Sequence, residues 1–183
     1  MTGFPVVALV CSAGGLDAVT TVLEPLPARW PAAVMVLQHL SPDYPSHLAT
    51  LLDGRVALPV ATATDGARLK AGRVLVAPAG HHTLITADET VALIPSGGSP
   101  PYRPSADLLL TTLALAIGDR LIAVVLSGRG NDAATGASAV HRFGGTVVAC
   151  TTATSTQQAM PQATLDRADA VDHVVALPDI AAC

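Results

Sequence analysis

Three polar side chains with complementary chemistry each follow a predicted buried strand: the hydroxyl of Ser12, the imidazole of His39 and the carboxylate of Asp132. A serine hydroxyl attacks an acyl carbon well only when a base removes its proton, and a neutral histidine does this near pH 7. A carboxylate beside that histidine selects its tautomer and stabilises the imidazolium that forms. Backbone N–H groups at Ala13 and Gly14, where a predicted helix begins, would stabilise the oxyanion of the intermediate. The pattern therefore indicates acyl-group hydrolysis by a serine nucleophile.

Each of these residues also has a purely structural interpretation. Ser12 is a common type of helix N-cap, and Asp132 or Asn131 would suit the same role for a helix that begins at Ala133. His39 would then be an ordinary loop histidine. The catalytic interpretation is favoured because all three residues follow strands, and the carboxyl ends of parallel strands meet at one edge, where ligands bind.

Short apolar runs that alternate with helical patterns indicate the elements that must position these residues. Buried strands are predicted over residues 6–11, 33–37, 122–126, 146–150 and 171–175. Helices are predicted after Gly15, with Pro45 in the first turn of a second one, and over residues 133–143 and 161–168. Continuously apolar strands between helices indicate an α/β fold with a doubly wound, mainly parallel sheet flanked by helices.

The segment between residues 73 and 94 has a different pattern, with short β runs separated by turns. Runs at residues 74–77, 84–85 and 91–94 predict a small antiparallel hairpin at one edge of the sheet. Residues 95–104 are rich in Gly, Pro and Ser and are interpreted as a loop within a single domain that covers residues 1–183.

Composition and charge disfavour several kinds of partner. The formal net charge is −4, and the ten basic residues are nine scattered arginines and one lysine, Lys70. A net acidic chain without a basic face is not expected to bind nucleic acid or an anionic membrane surface. The first apolar stretch is too short for a signal peptide, and no run approaches the roughly 18 residues of a membrane span, so no membrane insertion is expected.

The cysteines and histidines do not indicate a metal site. The three cysteines have neither CxxC nor Cys/His metal-ligand spacing, which favours a reduced, cytoplasmic protein. His81 and His82 are adjacent and lack the spacing of a usual site, so no metal is expected. Cys11 is interpreted as a buried core residue, because it and Ser12 point to opposite sides of a strand.

Seven short blocks occur in order along the chain. They are Ser12-Ala13-Gly14-Gly15, Gln38-His39-Leu40-Ser41-Pro42, Asp65-Gly66, Val76-Ala77-Pro78, Arg103-Pro104-Ser105-Ala106-Asp107, Leu126-Ser127-Gly128-Arg129-Gly130-Asn131-Asp132 and Ala159-Met160-Pro161. Over about residues 6–177 the chain thereby resembles the catalytic domain of the CheB family of chemotaxis protein-glutamate methylesterases. The resemblance implies that Ser12 is the nucleophile, His39 the base and Asp132 the group that orients the histidine, in agreement with the choice made from their chemistry.

The resemblance also implies a reaction and a partner. The family hydrolyses γ-glutamyl methyl esters on chemoreceptors and releases methanol, and many members also deamidate receptor glutamines. The expected partner is therefore a methylated chemoreceptor or another methyl-esterified protein, and no cofactor is expected. The receiver domain of typical members is expected to be absent, so phosphorylation in cis would not regulate this chain.

Several positions depart from the family pattern. Val10-Cys11 replaces Gly-Ala before the serine, Arg129 replaces a methionine, Ala133 a glycine and Tyr102 a histidine. Arg129 is expected to lie near the catalytic groups, where a guanidinium would attract a carboxylate-rich substrate or stabilise the oxyanion.

Two further residues each have two interpretations. Arg103 would either bind an acidic substrate or pair with Asp107 at the start of a helix. His82 aligns with a recurrent family histidine and is either structural or shapes the cleft.

Two other classes of function remain open. A nucleotide-binding module would hold phosphate in the glycine-rich first turn, although GxGxxG and GK[ST] are absent and the second strand ends in Gln38-His39 where an acidic ribose partner is expected. A catalytically degenerate scaffold would keep the fold and lose turnover, an alternative that Arg129 and Val10 motivate.

Overall fold

The computed structural model describes residues 3–98, 102–167 and 169–183. The strands are β1 (Val6–Cys11), β2 (Ala33–Gln38), β3 (Val60–Thr62), β4 (Val74–Val76), β5 (His81–Ile85), β6 (Val91–Pro95), β7 (Leu121–Val125), β8 (Thr146–Cys150) and β9 (His173–Val175). The helices are α1 (Gly15–Leu23), α2 (Leu48–Asp53), α3 (Ala106–Ile117), α4 (Ala134–Arg142) and α5 (Ala159–Leu165). Seven strands form one parallel sheet in the order β3-β4-β2-β1-β7-β8-β9, and β5 and β6 form an antiparallel hairpin. The predicted α/β fold class is confirmed.

The direction in which strands are added reverses at β1. The chain places β2, β4 and β3 on one side of β1 and β7, β8 and β9 on the other. In a doubly wound sheet such a reversal opens a crevice beyond the carboxyl ends of the central strands, where ligands bind. The residues that follow β1, β2 and β7 therefore surround this crevice.

The two faces of the sheet carry separate hydrophobic cores. Val6, Ala8 and Val10 of β1 pack with α3 and α4, whereas Leu9 and Cys11 pack with α1 and α2. All five side chains are fully buried. Burial on both faces explains why these strands are continuously apolar and do not alternate. Within the described ranges, the helices that cover the sheet are too short or too polar to cross a membrane.

One strand prediction is wrong, and one strand is missing from the prediction. The sequence places residues 74–77 in the hairpin, but β4 is a parallel strand of the main sheet between β3 and β2. The sequence does not predict β3, because a three-residue strand carries too little periodicity to be recognised. The hairpin contains β5 and β6 alone and packs against α3, where the Ile85 N–H donates to Thr112 Oγ1 at 3.1 Å.

Helix boundaries also differ from the prediction. Pro45 precedes α2, which begins at Leu48, so this proline is not in the first turn. The helix predicted over residues 161–168 is α5, and Ala168 lies outside the described residues. Residues 99–101 of the predicted loop 95–104 also lie outside them.

Candidate active site

The strand register brings Ser12, His39 and Ser127 side by side. Cys11 pairs with Gln38 in the parallel register of β1 and β2, so Ser12 and His39 are the next residues of the two strands. The ladder continues beyond the strand ends: the His39 N–H donates to the Cys11 carbonyl and the Ser12 N–H to the Ser127 carbonyl, both at 3.0 Å. Because neighbouring strands lie about 4.8 Å apart, the side chains of Ser12 and His39 are within reach of each other.

The turn after Ser12 leads directly into α1. Gly14 has φ +79°, a left-handed conformation that glycine adopts without steric cost. Ser127, which is 2% exposed, fixes the turn because its Oγ donates to the Ala13 carbonyl at 2.9 Å. The N–H groups of Ala13 and Gly14 donate to no acceptor within the described part of the chain. These two N–H donors therefore remain available beside Ser12, and their role as an oxyanion site stays a prediction.

The carboxylate of Asp132 lies at the N-terminus of α3 and accepts four hydrogen bonds. Its Oδ2 is 2.9 Å from His39 Nε2 and accepts the Ala106 N–H at 2.6 Å. Its Oδ1 accepts the Asp107 N–H at 3.0 Å and the Ser105 hydroxyl at 3.1 Å. Burial raises the pKa of Asp132, but the hydrogen bonds from His39 and from the Asp107 and Ala106 N–H groups outweigh it, so the pKa lies below its usual value. Asp132 is therefore a carboxylate at neutral pH.

This contact determines the tautomer of His39. An ionised carboxylate only accepts hydrogen bonds, so His39 Nε2 carries the proton and Nδ1 keeps its lone pair. Nδ1 is then the ring nitrogen that can accept a proton from Ser12. In the described residues no hydrogen bond joins Ser12 Oγ to the ring, as is common for nucleophile–base pairs before substrate binds.

A second aspartate, Asp107, connects α3 with the start of α4, just as Asp132 connects the loop before α4 with the start of α3. Asp107, in the first turn of α3, accepts the N–H groups of Ala133 at 3.0 Å and Gly136 at 2.7 Å at the start of α4. Since Asp132 lies two residues before α4, the start of each helix receives hydrogen bonds from a carboxylate at the start of the other. Burial and the negative charge of Asp132 raise the pKa of Asp107 against the opposing effect of these N–H groups. Sequence reasoning missed this pair because each helix end resembles a local cap.

The predicted pairing of Arg103 with Asp107 is wrong. Arg103 donates through a guanidinium nitrogen to the Gly97 carbonyl at 3.0 Å, and Asp107 is occupied by backbone N–H groups. His82 is 7% exposed and its Nδ1 accepts the Ser105 N–H at 3.0 Å, which agrees with its structural interpretation. Ser105 therefore joins His82 to Asp132, a contribution that its sequence position alone did not reveal.

Arg129 lies at the mouth of the crevice. It is exposed, and its Nε donates to Gln157 Oε1 at 3.3 Å. The preceding Gly128 passes so close that a Cβ there would lie 2.9 Å from the Cβ of Ser12. The guanidinium is thus carried on a loop that contacts the candidate nucleophile.

Cys11 is excluded as the nucleophile. Its side chain is fully buried and its Sγ donates to the Leu37 carbonyl. Burial raises the pKa of its thiol to about 12, so almost no thiolate exists near neutral pH. Ser12, by contrast, is partly exposed.

Ala133 has φ +104°, where the family pattern has glycine. A residue with a side chain held in such a conformation costs about 1–3 kcal/mol. The strained peptide still donates its N–H to Asp107, so the cap is retained.

Two further observations concern the described residues outside the crevice. An apolar cavity of about 400 Å³ lies between α1 and the sheet, lined partly by Leu9, Trp30 and Val124, and none of the residues predicted to act chemically lines it. Within the described residues, no group of three His, Cys, Asp or Glu side chains is arranged to hold a metal ion.

Similarity to known proteins agrees with the resemblance seen in the sequence. The family model "CheB methylesterase" matches residues 7–183. A protein-glutamate methylesterase/protein-glutamine glutaminase of Moorella thermoacetica is 38% identical over 98% of this chain and 43% of its own length. The protein-glutamate methylesterase FrzG of Myxococcus xanthus is 35% identical over 87% of this chain and 48% of its own length. The chain thus spans about half the length of these curated relatives.

The fold itself matches a solved member of the family. The crystal structure of the Thermotoga maritima CheB methylesterase catalytic domain superimposes with a TM-score of 0.92 and 30% identity, covering 99% of this chain and 97% of that one. Family model, relatives and fold agree over nearly the whole chain. The chain therefore belongs to the CheB methylesterase family.

Proposed function

We propose that this protein is a serine hydrolase that cleaves γ-glutamyl methyl esters of proteins, with Ser12, His39 and Asp132 as its triad. The 2.9 Å contact between His39 Nε2 and Asp132 Oδ2, level with Ser12 at the strand ends, supports this function most directly. The low pKa of Asp132 supports it further, because an ionised carboxylate stabilises the imidazolium formed during catalysis.

The first half of the reaction forms an acyl-enzyme. His39 Nδ1 removes the Ser12 proton while Oγ attacks the ester carbonyl carbon, and the carbonyl oxygen becomes an oxyanion facing the N–H groups of Ala13 and Gly14. The tetrahedral intermediate collapses by breaking the bond to the methoxy oxygen. The imidazolium gives its proton to that oxygen, so methanol leaves and a glutamyl ester on Ser12 remains.

Water completes the cycle by the same route. His39 Nδ1 takes a proton from a water molecule as the water oxygen attacks the acyl carbon. The second tetrahedral intermediate then collapses by breaking the bond between the acyl carbon and Ser12 Oγ. The proton returns to Oγ, which restores the hydroxyl and leaves a glutamate side chain on the substrate. Asp132 keeps its proton-free state throughout and holds the imidazole in line.

Methylated chemoreceptors are the substrate class we propose, in a cytoplasmic setting. The relatives' names support a protein-glutamate ester as the substrate. The exposed guanidinium of Arg129, on the loop that contacts Ser12, would attract an acidic receptor segment. Glutamine deamidation follows the same steps with ammonia as the leaving group, and the glutaminase in the relatives' names supports it.

Methanol release from a methylated receptor fragment tests the proposal. Wild-type protein should release methanol, and Ser12→Ala should reduce the rate by several orders of magnitude while keeping the fold. Ser138→Ala is the control, because this hydroxyl on α4 donates to the Ala134 carbonyl of its own helix and, among the described residues, bonds no member of the triad. Undiminished methanol release by folded Ser12→Ala would contradict the proposal.

A further inference from the structure

The ring of Tyr102 stacks on the imidazole of His39. The ring centroids are 5.4 Å apart and the planes are inclined by 29°. His39 is thereby held on two sides: its Nε2 edge contacts Asp132, and one ring face contacts Tyr102. The Nδ1 atom remains available for Ser12.

The surrounding backbone fits the position of Tyr102. The Leu40 N–H donates to the Arg103 carbonyl at 2.8 Å, which ties the residue after His39 to the residue after Tyr102. On the other side, Gly130 has φ +83° and a Cβ there would overlap the hydroxyl end of the tyrosine ring. The ring therefore lies between the histidine and the loop that leads to Asp132.

We infer that Tyr102 is a positioning residue for His39, an inference that rests on the proposed function of the triad. A stacked ring prevents the imidazole from turning out of line between Ser12 and Asp132, and small misplacements of a base reduce the rate strongly. The aromatic face also attracts the imidazolium that forms when His39 accepts the serine proton.

The charged side chains near His39, apart from Asp132, are bonded to other groups and do not position the imidazole. Asp132 is in direct contact with the imidazole. Asp107 of α3 interacts electrostatically with Asp132. The guanidinium groups of the two nearest loops are engaged elsewhere: Arg103 bonds the Gly97 carbonyl and Arg129 bonds Gln157. Asp132 and Tyr102 are thus the groups shown in contact with the imidazole ring.

Three substitutions separate positioning from simple packing. Tyr102→Phe keeps the ring and should retain kcat within about twofold, whereas Tyr102→Leu should lower kcat about tenfold or more with little change in KM. Tyr102→His, with the residue of the family pattern, provides another planar ring should Tyr102→Leu fail to fold, and should stay close to wild type in kcat.

Nuclear magnetic resonance of the His39 ring provides a readout that does not depend on the substrate. The signal of the Nε2-bound proton, which His39 shares with Asp132, should stay sharp in Tyr102→Phe and should broaden through faster exchange with water in folded Tyr102→Leu, because the ring is then free to turn. A sharp signal and unchanged kcat in Tyr102→Leu, or an equal loss in Tyr102→Phe and Tyr102→Leu, would overturn the inference. Failure of the proposed function appears separately, as methanol release that survives Ser12→Ala.

Discussion

Replacing Asp132 with asparagine changes one atom of the site and should affect both rate and stability. The carboxylate serves four donors, and an asparagine has only one acceptor oxygen. If that oxygen serves the Asp107 N–H and the Ser105 hydroxyl, the new NH₂ group faces the Ala106 N–H and His39. Two of the four interactions are then between donors.

The consequences for rate and stability follow from those two contacts. Opposite an NH₂ group, His39 must move its proton to Nδ1, which leaves no lone pair for the Ser12 proton, and kcat/KM should fall by about 10⁴-fold as in other triads. Ala106 is fully buried, and an unpaired buried N–H costs about 1–3 kcal/mol, so the free energy of unfolding should fall by about that amount.

The pH dependence of stability has a definite sign. Since the folded-state pKa of Asp132 is lowered, its stabilising contribution is fully present above the unfolded pKa of about 3.9 and is lost as pH falls through the folded pKa. The difference in unfolding free energy between wild type and Asp132→Asn should therefore narrow in acid.

Asp107→Asn is the matched control. Its oxygen can still accept the N–H groups of Ala133 and Gly136, and it contacts no proton of His39. Because the pKa of Asp107 is raised, ionisation weakens its contribution as pH rises through the folded pKa. The neutral asparagine should therefore leave the free energy of unfolding at pH 7 unchanged or higher, and the rate within about threefold.

Methanol release under kcat/KM conditions and urea denaturation measure both effects on the same preparations. Asp132→Asn should lose activity far beyond its loss of stability, and Asp107→Asn should lose neither. A rate within tenfold of wild type for Asp132→Asn, or an equal loss in both variants, would refute the tautomer reasoning.

Two further predictions concern the surroundings of the triad. Arg129→Met should change kcat/KM on an acidic peptide ester by about tenfold and on a small neutral ester by less, whereas equal kinetics on both esters would show that the guanidinium does not serve the substrate. Iodoacetamide at pH 8 should alkylate exposed Cys183 and leave Cys11 unmodified in the folded protein, because burial raises the pKa of the Cys11 thiol to about 12; mass spectrometry that finds native Cys11 alkylated would contradict its burial.

The sequence predicts the positions of those site residues that lie directly at the ends of strands. Ser12 and His39 each follow a continuous apolar run, and parallel strands of a doubly wound sheet leave little choice about where their ends meet. The pairing of β4 was not predictable in the same way, because a short apolar run indicates a strand but not which strand it pairs with.

The contacts made by Asp132 depend on long-range packing. Asp107 precedes Asp132 by about two dozen residues, and only the meeting of α3 and α4 shows that each helix caps the other. Tyr102 stood out in the sequence only as a departure from a family pattern, and its contact with His39 requires the loop before α3 to fold back over β2.

Labelling with a fluorophosphonate probe tests the central claim most directly, because such probes react with an activated serine. Peptide mapping should find the adduct on Ser12, with labelling lost in Asp132→Asn. Ser127 is an internal control on the neighbouring strand end, since its buried hydroxyl is bonded to Ala13 and Gln157 and should not react. An adduct on Ser127, or an unlabelled Ser12 in protein that releases methanol, would contradict the triad.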